Sequence, residues 1–291
     1  MNPGTLARDI FGVHFQNPVL LAAGTAGFGE EVSGVIDLDA LGGIVTKAVS
    51  LEPRPGNRSP RVAEFGGGML NSVGLANPGL ELVRQRELPR LVTRLSRARI
   101  LVNVVGNEAE DFRDVVAALE DVEGIAALEL NLSCPNSHAG GLEFGANPES
   151  VRSVLGLCRA ATRRPLLAKL SPALPDIAAM ALVARDAGAD GVTLVNTLPG
   201  YLADSHGAPR LGNGNGGVSG PALLPIGVLA TRRVQERAPG FPVIGVGGIR
   251  SAADAMQYLR AGASLVAIGT AALADPRIPE RIVRDLGDYD G

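Results

Sequence analysis

Lysine is nearly missing from this chain: of its 27 basic residues only Lys47 and Lys169 are lysine, and the other 25 are arginine. The two residue types exchange freely on a solvated face but not in a tight slot, where a slim ammonium fits and a planar guanidinium does not. A drift toward arginine that spared two positions singles both out, against the plainer reading that they are chance survivors on the surface. Cysteine is scarce too. Cys134 and Cys158 are too few for a disulfide framework, a thiolate-held zinc or an iron–sulfur cluster, so any such cluster would sit on another chain. Basic runs are absent and the formal net charge is −3, which removes the electrostatic footprint of a nucleic-acid binder and favours a small-molecule substrate. No apolar run approaches the roughly 20 residues of a membrane span, and no charged segment followed by an apolar stretch opens the chain. A soluble, cytoplasmic protein that engages neither membrane nor nucleic acid is expected.

What is present is core material. With 291 residues and 46% hydrophobic composition, the chain can fill one large domain, 1–291, and a closed α/β barrel routinely reaches this length. Short runs rich in Val, Ile and Leu recur, each followed by helical spacing, the pattern of a parallel α/β fold. Eight are expected as strands: Pro18 to Gly24, Gly43 to Val49, Ile100 to Gly106, Ala127 to Cys134, Leu166 to Pro172, Gly191 to Leu198, Pro242 to Ile249 and Leu265 to Ala272. Their continuous hydrophobicity suits burial on both faces. The fold class is therefore a single (β/α)8 barrel. Asn147-Pro148-Glu149 caps one helix, Ser251 with Asp254 reads as a capping box opening Ala252 to Arg260, and Gly188 and Gly262 can end helices. Ala7 to Asn17 reads as an N-terminal hairpin closing the barrel floor. Two segments, Ser50 to Pro78 and Gly200 to Ser219, exceed plain connectors, and long loops on the C-terminal face of a barrel are where lids are built.

Polar residues at the C-terminal ends of barrel strands point into the active site. Here they are Lys47 on the second strand, Asn103 on the third, Asn131 to Cys134 on the fourth, Lys169 on the fifth and Asn196-Thr197 on the sixth. Both lysines thus fall near the mouth. The last two strands end in Gly245-Val246-Gly247-Gly248-Ile249 and Ile268-Gly269-Thr270, glycines that let a phosphate approach backbone N–H groups or simply make tight turns. Gly212 to Gly217 matches the dinucleotide fingerprint in spacing, but no strand precedes it and no helix follows, so it is expected to be a flexible loop.

Cys158 sits in the apolar helical run Val154 to Ala161 and reads as packing. Cys134 is different: a thiol of ordinary pKa about 8.5, at a strand mouth shared with two ammonium groups, can be drawn toward neutrality and act as a base, although a bland reading also exists. His14, His138 and His206 show no metal-ligand spacing, and Asp and Glu fall mostly on helices and helix starts, so neither a metal nor a paired-carboxylate mechanism is expected.

The chain resembles the class 1 dihydroorotate dehydrogenases over nearly its whole length. The resemblance rests on Lys47-Ala48, on Asn57 to Arg61 leading to Met69 through Gly79, on Asn131-Leu132-Ser133-Cys134-Pro135-Asn136, on Ala168 to Pro172, and on Asn196-Thr197, Ser219-Gly220-Pro221 and Gly247-Gly248. It implies FMN held by Ala23, Lys47, Ala48, Asn103, Asn131, Lys169, Val195, Gly220, Gly247, Gly248, Gly269 and Thr270. It implies a dihydroorotate site made of Lys47, Asn71, Ser72, Val73, Gly74, Leu75, Asn131, Asn196 and Thr197, with Cys134 as the catalytic base that takes the C5 proton while hydride leaves C6. A fixed lysine suits the negative charge of a reduced flavin, and asparagines satisfy both donors and acceptors of a pyrimidine ring. One departure is Ala22-Ala23-Gly24, where relatives often carry a serine before the glycine, leaving only backbone to bind there.

Within class 1, Arg61 to Glu64 and Met69-Leu70-Asn71 look like the NAD-linked subclass. That implies an electron-transfer subunit carrying FAD and a [2Fe–2S] cluster, and a homodimer core within a heterotetramer. The fumarate-using subclass is the near alternative, since it too needs neither a nicotinamide site nor cluster ligands on this chain. A dihydropyrimidine dehydrogenase of related sequence would differ mainly in the lid, Met69 to Gly79. A tRNA-dihydrouridine synthase should show a basic surface, and a non-catalytic barrel should have lost Cys134 or a lysine.

Overall fold

The computed structural model describes residues 6–133 and 144–288. In chain order its strands are β1 (Arg8–Ile10), β2 (Val13–Phe15), β3 (Val19–Leu21), β4 (Gly43–Val45), β5 (Val62–Phe65), β6 (Gly68–Asn71), β7 (Arg99–Val104), β8 (Ile125–Asn131), β9 (Leu166–Leu170), β10 (Gly191–Leu194), β11 (Leu198–Tyr201), β12 (Asn215–Ser219), β13 (Val243–Val246) and β14 (Leu265–Ile268). Eight of them, β3, β4, β7, β8, β9, β10, β13 and β14, pair in parallel and close into a barrel in that order. Each expected strand is found, trimmed at its C-terminal end, where the chain leaves the ladder to form the mouth.

Strand alternation sorts the side chains. Leu101, Ala127, Leu167, Ile244 and Leu265 face inward near the floor and form one cluster with Phe15, while Val102, Leu128, Leu130 and Ala168 face outward into the layer shared with the helices. The β1–β2 hairpin closes the floor as expected. Its Phe11 meets Phe15 edge to face at 6.2 Å, and Ile10 and Val13 pack on the same inner cluster.

Helices Ala109–Leu119, Pro148–Ala161, Ile177–Asp186, Leu224–Arg237, Ala252–Arg260 and Ile278–Gly287 wrap the outside. The Asn147 carboxamide oxygen accepts the N–H groups of Glu149 and Ser150, as its cap position predicts. The Ser251 hydroxyl accepts the Asp254 N–H, whereas the Asp254 carboxylate takes the N–H of Arg250, one residue before the cap, so the expected box is displaced by one residue. The first strand is the exception to helix following strand: only the short turn Leu38–Ala40 intervenes before β4, because Gly24, Gly27, Gly29 and Gly34 all adopt positive φ, which breaks a helix.

Three expectations about the loops are corrected. The sixth strand ends at Leu194 rather than Leu198, and Leu198 instead begins β11. The two long segments are not separate lids: they interlock as one antiparallel sheet, β11–β12–β6–β5, in which Gly217 pairs with Asn71 and Val218 with Leu70. The Gly212 to Gly217 stretch is not a free loop either, since Asn215–Ser219 is the strand β12 that joins the two segments; edge backbone groups of one segment are satisfied by the other.

Candidate active site

Two positions above the apolar floor, the inward face of the barrel turns polar. Asn103 follows Leu101, Glu129 follows Ala127, Lys169 follows Leu167, and Thr193 lies beside Lys169 in register. These four form one buried group: the Asn103 amide and the Thr193 hydroxyl each donate to Glu129 at 2.7 Å, one to each carboxylate oxygen, and the Lys169 Nζ stands 3.7 Å from Oε1. Glu129 is 1% exposed and Lys169 8%, so no water shell screens the pair. The Asn103 backbone N–H is taken by the Thr46 hydroxyl, and its Oδ1 is buried with no donor facing it. A buried acceptor left without a partner costs roughly 1–3 kcal/mol, and a ligand N–H arriving from the mouth would satisfy it.

One layer higher, the Asn196 amide donates to Asn131 Oδ1 at 3.3 Å, and the Thr197 N–H donates to Asn196 Oδ1 at 2.9 Å. Thr197 also lies against Gly217, where an added Cβ would stand 2.0 Å from its Oγ1, and the Asn71 amide donates to the Gly217 carbonyl at 3.1 Å. A chain of contacts thus runs from Asn131 through Asn196 and Thr197 to Gly217 and Asn71 of the lid sheet. Ser72 to Leu75 follow Asn71 along the lid. Ser72 N–H donates to the Arg61 carbonyl, Asn57 pairs with Val73 and Ser72, and Leu75 holds a left-handed φ of 55°, unusual for a branched side chain. The buried Asn77 fastens this stretch, donating to the Leu75 carbonyl and accepting from the Gly79 N–H.

On the opposite side of the mouth, Gly247 and Gly248 have φ of 120° and 75°. The Val195 N–H donates to the Val246 carbonyl, and Tyr258 Oη lies 2.9 Å and 2.8 Å from the carbonyls of Val246 and Gly247. Thr270 opens the helix Thr270–Ala274 and donates to the Ser219 hydroxyl at 2.8 Å, which ties β14 to the lid. An added Cβ on Gly24 would meet nothing within 4 Å and on Gly269 nothing closer than 3.7 Å, so the backbone there is open to a ligand. Gly220 has a φ of 112°, and an added Cβ there would stand 2.8 Å from Gly68 Cα.

Not every expected residue joins these groups. Ala23 packs on the inner cluster, and Ala48 belongs to the outer one. Lys47 is half-buried, its N–H bonded to the Gly27 carbonyl, and it borders a cleft with Phe28, Glu31, Pro78 and Glu87. Cys134 and His138 lie outside the described residues. Cys158 is buried, and burial pushes its thiol up to about 12 despite Arg113 and Arg159, which fits packing. Among the described residues no cluster of His, Cys, Asp or Glu could hold a metal ion, and no helix is long and apolar enough to cross a membrane.

Glu129, Thr193 and Tyr258 were not expected. Glu129 did leave a signal: a carboxylate inside an apolar strand, two residues before Asn131 and so on the same face.

A closed (β/α)8 barrel whose mouth carries paired asparagines and a glycine rim defines an enzyme scaffold. A model of the Dihydroorotate dehydrogenase family matches residues 5–289, and the chain belongs to that family. It is 44% identical over 284 residues to a protein of Desulforudis audaxviator (strain MP104C), covering 97% of this chain and 92% of that one. It is 44% identical over 282 residues to a protein of Geobacillus kaustophilus (strain HTA426), covering 97% and 89%. It is 41% identical over 285 residues to a protein of Geotalea daltonii, covering 98% and 92%. All three relatives are named dihydroorotate dehydrogenase B (NAD(+)), catalytic subunit, the subclass toward which the lid motif pointed.

Proposed function

We propose that this chain is the catalytic subunit of an NAD-linked enzyme that oxidises (S)-dihydroorotate to orotate in de novo pyrimidine synthesis, with FMN as its flavin. The observation that carries the reading is the buried Asn103–Glu129–Lys169–Thr193 group beneath the Asn131–Asn196 pair, in a chain of this family. When bound, FMN supplies the two-electron acceptor for the hydride leaving substrate C6.

The residues divide the work. Asn103, with an unpartnered acceptor, and Lys169, with an ammonium aimed along the inward face, suit the polar edge of the flavin ring. Gly220, Gly247, Gly248, Gly269 and Thr270 offer backbone to its phosphate, with Ala23, Ala48 and Val195 as neighbours. Asn71, Asn131, Asn196 and Thr197 present amides and a hydroxyl to a pyrimidine ring. Ser72 to Leu75 form the lid, and Lys47 supplies a cation for the substrate carboxylate. Cys134 takes the C5 proton.

The relatives' name supports a partner subunit. We assign it FAD and a [2Fe–2S] cluster, which this chain's two cysteines cannot hold, and we place a homodimer of this chain at the centre of a cytoplasmic heterotetramer.

The test is an anaerobic stopped-flow mix of the purified chain with dihydroorotate, following flavin absorbance, with NAD⁺ and fumarate then offered separately. Bleaching that neither acceptor reverses supports the catalytic-subunit reading, and reversal by fumarate alone would move the chain to the other subclass. Absence of bleaching with FMN bound would mean a different substrate. Cys134→Ser should bind FMN and orotate but reduce the flavin far more slowly at neutral pH; an unchanged single-turnover rate would remove the proton from Cys134.

A further inference from the structure

We infer that Glu129 sets the reduction potential of the bound flavin by offsetting the charge of Lys169, an assignment that rests on the flavin reading above. Glu129 sits in the middle of β8, flanked by residues of three other barrel strands: Asn103 on β7, Lys169 on β9 and Thr193 on β10. Asn103 and Thr193 each donate to one of its oxygens, so the group is held as an acceptor with both oxygens engaged. Burying a carboxylate is costly unless it is paired and hydrogen-bonded, and here both conditions hold.

The geometry separates two jobs. Asn103 and Thr193 make the short hydrogen bonds at 2.7 Å, whereas Lys169 stays at 3.7 Å, beyond hydrogen-bond reach. Lys169 therefore feels the carboxylate's charge without giving it a proton donor, and its N–H groups remain free, among the described residues, to point at a ligand. In a site this dry, a compensating charge at such a distance weakens the pull of the ammonium on anything beyond it. An ammonium alone would stabilise the electron-rich reduced ring strongly and make the cofactor a poorer donor to the next carrier. Glu129 moderates that pull, and by taking the Asn103 amide N–H it fixes that carboxamide with its Oδ1 buried and unpartnered. It is a positioning residue, acting on the flavin through Lys169 and Asn103.

The decisive measurement is the midpoint potential of the FMN-loaded chain, taken by dye equilibration under anaerobic conditions. Glu129→Gln keeps the size and an acceptor oxygen but removes the charge, and should shift the potential positive by about 30 mV or more, a tenfold tighter relative hold on the reduced flavin for a two-electron couple. Glu129→Asp keeps the charge and should stay near the parent value. Lys169→Gln should shift it negative, and the Glu129→Gln, Lys169→Gln pair, which removes both charges, should return most of the way. An unchanged potential in folded, flavin-loaded Glu129→Gln would overturn the assignment while leaving the flavin reading intact. If Glu129→Gln does not fold, a pair variant with the same shift as Lys169→Gln alone would overturn it instead. Failure of the parent chain to bind flavin at all would defeat the underlying reading, a result visible before any potential is taken.

Discussion

The Tyr258 hydroxyl lies 2.8 Å from the Gly247 carbonyl and 2.9 Å from the Val246 carbonyl, from a ring that reaches the mouth from the helix Ala252–Arg260. In a trans peptide the N–H points away from its own C=O, so holding these two carbonyls toward Tyr258 turns the Gly247 and Gly248 N–H groups the other way. The room for this ring comes from glycine. An added Cβ would come within 1.9 Å of its Oη at Gly227 and 2.3 Å of its Cδ1 at Gly245.

Tyr258→Phe should therefore loosen the glycine rim without emptying the space. Losing one such hydrogen bond is worth about 0.5–1.5 kcal/mol, and FMN affinity should fall by about two- to tenfold, read by recovery of free-flavin fluorescence. Affinity equal to the parent's would show that the rim holds its shape unaided.

Gly227→Ala addresses the same contact from the other side. The new methyl must displace Tyr258 or the helix Leu224–Arg237, and overpacking of this kind costs about 1–3 kcal/mol, visible as an earlier urea midpoint with an unchanged slope.

Asp39 fastens the turn before β4 to the turn before β7. Its carboxylate accepts from the Ser96 hydroxyl and from the N–H groups of Ser96, Arg97 and Ala98. Burial pushes this carboxyl up, but those hydrogen bonds outweigh burial and hold it well below the usual range. With the folded value depressed, the stabilisation is complete above the unfolded carboxyl's pKa of about 3.9 and is lost as pH falls from there toward the folded value. Asp39→Asn should cost about 2 kcal/mol at neutral pH, with the gap to the parent closing on acidification below pH about 4 in chemical denaturation curves.

The two lysines should respond differently to arginine. Lys169 is enclosed against Glu129, so Lys169→Arg should cost about 1–3 kcal/mol of stability through overpacking. Lys47 is half-buried, and Lys47→Arg should stay within about 0.5 kcal/mol in the same urea series while weakening dihydroorotate binding. Equal effects on stability would contradict the difference in enclosure.

Cys158 should be unreactive in the native state, since burial holds its thiol protonated up to about 12. Iodoacetamide labelling at pH 8 with peptide mapping should leave it unmodified until denaturant is added; native labelling of Cys158 would mean that the helix Pro148–Ala161 opens.

The barrel was legible because its strands are buried on both faces, and that requirement writes itself into the chain as continuous apolar runs separated by caps and glycines. Pro148 behind its Asn147 cap and the floor hairpin came out as read for the same local reason. The lid sheet did not. Asn71 and Gly217 are 146 positions apart, and neither segment alone carries a strand pattern strong enough to announce its partner. The lone scarcity of lysine pointed to Lys169, yet gave no hint that a carboxylate faces it.

What the sequence determined by itself is therefore the repeating unit, the strand ends that bear polar side chains, and the family these motifs belong to. Only the tertiary structure decided that Glu129 meets Asn103 and Thr193, 26 and 64 positions away, and that Tyr258 supports the rim of another strand. Alternation fixes which residues share a face of one strand. Barrel closure fixes which faces turn inward and which strands become neighbours, and a buried charge finds its partners only across those neighbours.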